Sequence, residues 1–193
     1  MLFRSTVKRA LASYHEENRY ALGMQAAHAC RIVGLDERSF AGLARELAQT
    51  DPEITVKHGR LALASFKPAL SASQLGLREK IIGRVRDAGA HGVARGQLVS
   101  DLGASEADMK LLTRLLSEDG TVKVLGRHLM HVPVFEECRS KLLELLDKNP
   151  NVELSAFREA TGAARNQAVA VLEQFDSEVL TRRVGNARVL AKR

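Results

Sequence analysis

The sequence contains no tryptophan and only 4% aromatic residues. Modules that stack bases on an aromatic platform, such as RRM and OB folds, are thereby disfavoured. Phe40, Phe157 and Phe175 also recur at the spacing of a helical core rather than of an exposed row. No apolar run approaches the ~20 residues that cross a bilayer as a helix, so no membrane partner is expected. The N-terminus is amphipathic and carries Glu16 and Glu17, with no small-residue cleavage site behind an apolar core, so it does not read as a secretory signal. Cys30 and Cys138 lie far apart and outside any C-x-x-C, which predicts reduced, buried thiols in a cytoplasmic protein. G-x-x-x-x-G-K-[ST], G-x-S-x-G, H-E-x-x-H and G-x-G-x-x-G are all missing, so neither a catalytic residue nor a nucleotide pocket is expected. His128 and His131 are separated by an odd number of strand positions, which sends their rings to opposite faces. His15, His28, His58 and His91 have no paired neighbour and read as surface or satisfied core residues, leaving no expected metal site.

What the chain does have is a globular composition, 45% apolar and 27% charged, with a net charge of +6. That excess suits a polyanionic partner, and it equally suits solubility. The cations are 20 Arg and 9 Lys, and Arg presents a planar fork that grips phosphate or a guanine edge. A compositional bias of the genome would give the same ratio.

Three stretches share one order of elements. The first runs from a helix at about Arg4 to Arg19, through a short helix over Gln25 to Val33 and a helix opened by GLDERSF, to ITVKHGRLAL. The second is SQLGLREKIIGRVRDAG, RGQLVSDLG, GASEADMKLLTRLLSEDG and TVKVLGRHLMHV. The third is VFEECRSKLLELLDKN, LSAFREATG, GAARNQAVAVLEQFDSE and VLTRRVGNARVLA. Gly34, Gly103 and Gly162 each close the short helix, at intervals of 69 and 59; Gly59, Gly126 and Gly185 each sit at a hairpin tip, at intervals of 67 and 59. Leu111, Leu112, Leu115 and Leu116, like Val169, Val171, Leu172 and Phe175, recur at the spacing of one apolar helix face. The closing segments are short, β-branched and Gly-broken, and read as two-stranded ribbons. Helix, short helix, helix and hairpin is the winged-helix order. The expected fold is therefore mainly α with small β-hairpins, a tandem array of three winged-helix domains at 1–68, 69–132 and 133–193. The boundaries lie at KPALSAS and HVPVF, where Pro68 and Pro133 are expected to interrupt regular structure.

The three units differ where a winged helix meets nucleic acid, at the start of its third helix and at the wing. The first opens Leu35-Asp36-Glu37 and the second Ala104-Ser105-Glu106, each placing a capping oxygen and an acid at the positive end of the helix dipole. The third opens Ala163-Ala164-Arg165-Asn166, giving up the cap and putting a cation where the dipole disfavours one. Its wing, TRRVGNARVLAKR, has Arg182, Arg183, Arg188, Lys192 and Arg193 and no acid. Charge on a hairpin edge also guards against aggregation, so the wing alone does not separate binding from solvation. The lost cap favours binding, because an anion docked there would gain both free amides and Arg165. Arg182 and Arg183 point to opposite faces of a strand, so one of them is expected to pack or pair internally, for instance with Glu178 or Asp176.

The third unit also resembles a known family. Phe157-Arg158 and Gly162 as F-R-x-x-x-G, Arg165 opening the next helix, Leu172, Glu173, Phe175 and Asp176 as L-E-x-F-D, and T-R-R-V-G-x-x-R-V-L from Thr181 to Leu190 resemble the last winged helix of the bacterial selenocysteine-specific elongation factors (SelB). The first two units resemble, more loosely, the preceding winged helices of that family. The resemblance implies an RNA-binding C-terminal portion of a translation elongation factor, recognising a selenocysteine-insertion hairpin in mRNA. It implies an N-terminal GTPase half that carries selenocysteinyl-tRNA to the UGA codon on the ribosome. No GTPase motif occurs here, so GTP belongs to that N-terminal half and no cofactor is expected in this chain, whether it is a fragment or separately encoded. The RNA-binding residues implied are Arg165, Asn166, Arg182, Arg183 and Arg188, with the first two units as a spacer arm and Asn166 or Arg188 testing a base edge. A tandem winged-helix DNA-binding protein and a protein-interaction module are the alternatives.

Overall fold

The structure is a computed structural model that describes residues 2–34 and 36–191, apart from the side chains of Leu2, Phe3, Glu37, Ala41 and Leu43. Lys192 and Arg193, counted above in the basic run, and Leu35 and the Glu37 side chain, counted in the first helix opening, lie outside the described residues. The chain divides into two compact units, Met1–Ala72 and Ser73–Arg193.

The first unit is α1 (Leu2–Glu17), β1 (Met24–Gln25), α2 (Ala26–Val33), α3 (Glu37–Thr50), β2 (Ile54–Lys57) and β3 (Arg60–Leu63). Val7, Leu11, Cys30, Phe40, Leu47 and Leu61 bury one face of each helix against the sheet. His15 is core, as one of the two options had it, but is held by rings rather than hydrogen bonds. It stacks on Phe66 at 3.7 Å, and among the described residues neither ring nitrogen has a hydrogen-bond partner. Burial pushes its pKa below the ordinary histidine value, so the ring packs as a neutral aromatic.

The second unit runs the same order twice. The first pass is α4 (Ala72–Asp87), a 3-10 turn (Gly89–His91), β4 (Val93–Ala94), α5 (Arg95–Leu102), α6 (Glu106–Glu118), β5 (Val122–Leu125) and β6 (His128–His131). The second pass is α7 (Val132–Lys148), β7 (Val152–Glu153), α8 (Leu154–Thr161), α9 (Arg165–Ser177), β8 (Thr181–Val184) and β9 (Ala187–Leu190). From β4 to β6 and from β7 to β9 every element starts 59 residues after its counterpart, Arg95 answering to Leu154, Glu106 to Arg165 and Val122 to Thr181. One core crosses the junction: Leu125 and Met130 pack with Phe135, Leu142, Phe157 and Phe175.

Two expectations need correction. The ribbons are three-stranded, ordered β1-β3-β2, β4-β6-β5 and β7-β9-β8, because a two-residue strand before each short helix pairs with the outgoing strand of the hairpin. Strands that short carry no alternation to read. Pro133 does not interrupt regular structure either. It stands in the first turn of α7, where a missing N–H costs nothing, and the helix follows β6 without a loop. The glycines fall as expected. Gly162 closes α8 in the left-handed conformation at φ 70, its N–H donating to the Arg158 carbonyl, and Gly185 turns the wing at φ 59.

Among the described residues two that are not glycine have positive φ, His58 at 48 and Val179 at 58, and the β-branched one is the costlier. Val179 sits at φ 58 and is 73% exposed, at the position where the preceding repeat has Gly120 at φ 75. A β-branched residue in the left-handed region is strained. Val179→Gly is expected to raise stability by about 0.5–1 kcal/mol, read as a higher urea midpoint at unchanged slope.

Candidate nucleic-acid interface

The helix openings differ as the sequence predicts. Asp36 caps α3 by accepting from the Arg38 and Ser39 amides at 3.0 and 2.9 Å, and Ser105 caps α6 by accepting from the Asp108 amide at 3.0 Å. Ala164 is extended at φ −61 and ψ 152 ahead of α9 and contributes no side-chain cap. The first amides of α9 therefore keep their donors for something else. Ala164→Asp is expected to stabilise the fold by about 1 kcal/mol, through a cap and an acid on the dipole, and to weaken anion binding at the same end; a thermal melt and a binding titration read the opposite signs.

A cavity of ≈ 370 Å³ opens in front of that helix end, lined by Arg165 and Val169 of α9, Glu153, Leu154, Ser155 and Arg158 around the start of α8, and Arg183, Asn186 and Arg188 of the wing. Four guanidinium side chains and one carboxylate give it a positive balance. Arg183 is fixed at the tip, its Nε donating to the Gly185 carbonyl at 3.0 Å. Arg158, Arg165, Arg183 and Asn186 are exposed, free to meet a ligand.

Of the residues singled out from the sequence, Arg165, Arg183 and Arg188 come together here. Asn166 is exposed on the first turn of α9 and is not part of the lining. Arg182 pairs in register with Val189 while Arg183 pairs with Arg188, so Arg182 projects from the other side of the wing. One of the pair does bond internally, Arg183 to the Gly185 carbonyl, but the example partners are corrected: among the described residues neither Arg182 nor Arg183 takes Asp176 or Glu178. Arg188 takes Asp176, Nε to Oδ2 at 2.9 Å, and is 6% exposed. Glu178 is held by Lys123 and Arg139, both at 2.6 Å. Sequence reading missed Arg158, Ser155 and Asn186 as lining residues. The signal for Arg158 was available, since it lies on the short helix facing the wing and was already visible in the F-R-x-x-x-G run.

Among the described residues no group of three or more His, Cys, Asp or Glu could hold a metal ion, and no helix is long and apolar enough to cross a membrane.

Residues 144–190 match the family described as elongation factor SelB, winged helix. A selenocysteine-specific elongation factor of Desulfomicrobium baculatum is 25% identical over 191 residues, covering 95% of this chain and 29% of the relative. That of Escherichia coli K12 is 27% identical over 191 residues, covering 93% of this chain and 29% of the relative. The chain thus spans 29% of the length of the curated relatives it matches. In fold it is similar to the mRNA-binding domain of Escherichia coli SelB, solved in complex with SECIS RNA, with TM-score 0.56 and 22% identity over 64% of this chain and 100% of that one. A bacterial selenocysteine-specific elongation factor superposes with TM-score 0.50 and 16% identity over 98% of this chain and 29% of that one. Over nearly its whole length the chain resembles the C-terminal part of SelB.

Proposed function

We propose that this chain is the RNA-binding C-terminal portion of a selenocysteine-specific translation elongation factor. It is built of three winged helices, at residues 1–68, 69–132 and 133–193, of which the third grips a selenocysteine-insertion hairpin in mRNA. The observation that carries the reading is the arginine-lined cavity at the uncapped start of α9, the one helix opening of the three that gives up a capping side chain. Phosphates docked there would meet free backbone amides, Arg165, Arg158 and the wing arginine Arg183. Arg182, on the other side of the wing, reaches a neighbouring backbone segment, and Asn166 a sugar or base beside the helix start. With few aromatics available, recognition falls to hairpin shape and a splayed base rather than to stacking.

The first two winged helices serve as a spacer. They tie the mRNA hairpin to a GTPase half that binds GTP and carries selenocysteinyl-tRNA, which raises the local concentration of that tRNA at the UGA codon on a cytoplasmic ribosome. This chain itself performs no catalysis and takes no cofactor.

The test is an anisotropy titration across a KCl series with a selenocysteine-insertion hairpin, a single strand of the same composition and a duplex DNA. Tight hairpin binding with a steep salt slope is expected. Preference for the duplex would favour a DNA-binding tandem winged helix. No binding even at low salt would leave a protein-interaction module.

A further inference from the structure

The three sheets share one register, and at its centre they differ. Leu61 of β3 faces Met24 and Val56, and Leu129 of β6 faces Val93 and Val124. Both leucines are buried, at 0% and 1% exposure. The corresponding residue of β9 is Arg188, facing Val152 and Arg183, buried at 6%. Two repeats thus solve this position with a leucine, and the third places a charge there.

The charge comes with dedicated partners. Asp176 accepts from Arg188 Nε at 2.9 Å through one oxygen and from Thr181 Oγ1 at 2.7 Å through the other. Neither Asp176 nor Thr181 lines the cavity, while Arg188 does. A guanidinium has five N–H donors, and among the described residues only Nε is engaged, so both Nη groups remain for a ligand. An ion pair in a sheet core is a weak source of stability, and uncharged residues in place of both partners commonly do as well or better. The sister repeats carry that apolar solution in the same register.

We propose that Asp176 and Thr181 are positioning residues that fix Arg188 as a preorganised fork at the floor of the RNA site, and that the pair is kept for binding rather than for folding. Asp176 balances the Arg188 charge, which lets Arg183 stand directly across the ladder without two uncompensated cations in one face. Together the two bonds hold the guanidinium plane before the RNA arrives, so its ordering entropy is not lost on binding. This inference rests on the RNA-binding reading above.

The test uses Arg188→Leu, Asp176→Asn, Thr181→Val and Arg188→Lys in the full chain, each read by a thermal melt and by titration with the selenocysteine-insertion hairpin. Arg188→Leu should bind the hairpin at least about tenfold more weakly; since alone it leaves Asp176 without a counterion, it is paired with Arg188→Leu/Asp176→Asn, which removes both charges and should melt no lower than the parent while binding as weakly. Asp176→Asn and Thr181→Val should each weaken binding by more than their melts account for. Arg188→Lys should not rescue, since an ammonium keeps the charge and loses the fork. Three results would overturn the proposal: parental affinity in Arg188→Leu, affinity falling strictly in step with melting temperature across the set, which would make the pair a folding device, or parental affinity in Asp176→Asn. If the parent protein binds no hairpin, the RNA reading falls first and this inference with it; if the parent binds and Asp176→Asn is indistinguishable from it, only this inference falls.

Discussion

Replacing Arg165 and Arg183 together with glutamine is expected to lower affinity for the hairpin by about a hundredfold at moderate salt, and to flatten the slope of log K against log salt by about 1.5. Both side chains line the cavity, one from the first residue of α9 and one from the wing, so they approach a docked phosphate from different elements. Each neutralised phosphate releases counterions, which is why the loss should grow as salt falls. The fold itself should not suffer. Both residues are exposed, and Arg165 stands at the positive end of the α9 dipole, where removing a cation should stabilise the helix by about 0.3–1 kcal/mol. A variant that binds far more weakly while melting slightly higher separates loss of contact from loss of structure. Equal affinity in parent and variant would remove this cavity as the RNA site.

The second large effect lies away from the cavity. Glu178, just after α9, receives Lys123 from β5 and Arg139 from α7, both at 2.6 Å, and Gln174 at 2.9 Å. The guanidinium of Arg139 lies 5.0 Å from the Phe175 ring centre and 5.4 Å from that of Phe135, and Lys123 lies 5.0 Å from Phe135. The cluster joins the first and second passes of the second unit across their shared core. Burial alone would make Glu178 harder to ionise, but the bonds from Lys123, Arg139 and Gln174 outweigh it and pull its pKa down from 4.5 to about 2. Glu178 is solvent-exposed, so water screens much of this: Glu178→Gln should destabilise the second unit by about 1 kcal/mol at neutral pH, since two cations lose their common counterion.

The sign of the pH dependence follows from the depressed pKa. The contribution of Glu178 is complete above the unfolded value of 4.5 and disappears as pH falls through about 2. Urea unfolding at neutral pH and at a series of acid pH values should show a parent-minus-variant difference that is constant above about pH 5 and closes as pH approaches 2. A difference independent of pH over that range would mean that the carboxylate charge is not what holds the cluster.

Much of this was readable along the chain because it is local. A missing cap at Ala164, a left-handed residue at Gly162 and a tight turn at Gly185 are each decided within a few residues, and helix faces are written in the spacing of Leu112, Leu115, Val171 and Phe175. Repetition made these signals stronger, since an odd feature in one unit could be measured against two ordinary ones. The two-residue strands were not legible, because they exist only through pairing with β3, β6 and β9. The basic residues illustrate the same limit. Arg182, Arg183 and Arg188 look alike in the sequence, yet one projects from the far side of the wing, one reaches the cavity and one is buried against Asp176.

The sequence by itself therefore determined the order of elements, the faces they bury and the repeat whose helix opening departs from the others. These follow from dihedral preference and from apolar spacing, which act over neighbouring residues. Only the tertiary structure decided which cation meets which acid and which arginines share a cavity. Asp176 finds Arg188 and Thr181 because α9 packs beside β8 and β9 at one particular register, and Glu178 finds Lys123 because two repeats share a core. Such choices depend on distances between residues far apart in the chain, and packing alone sets them.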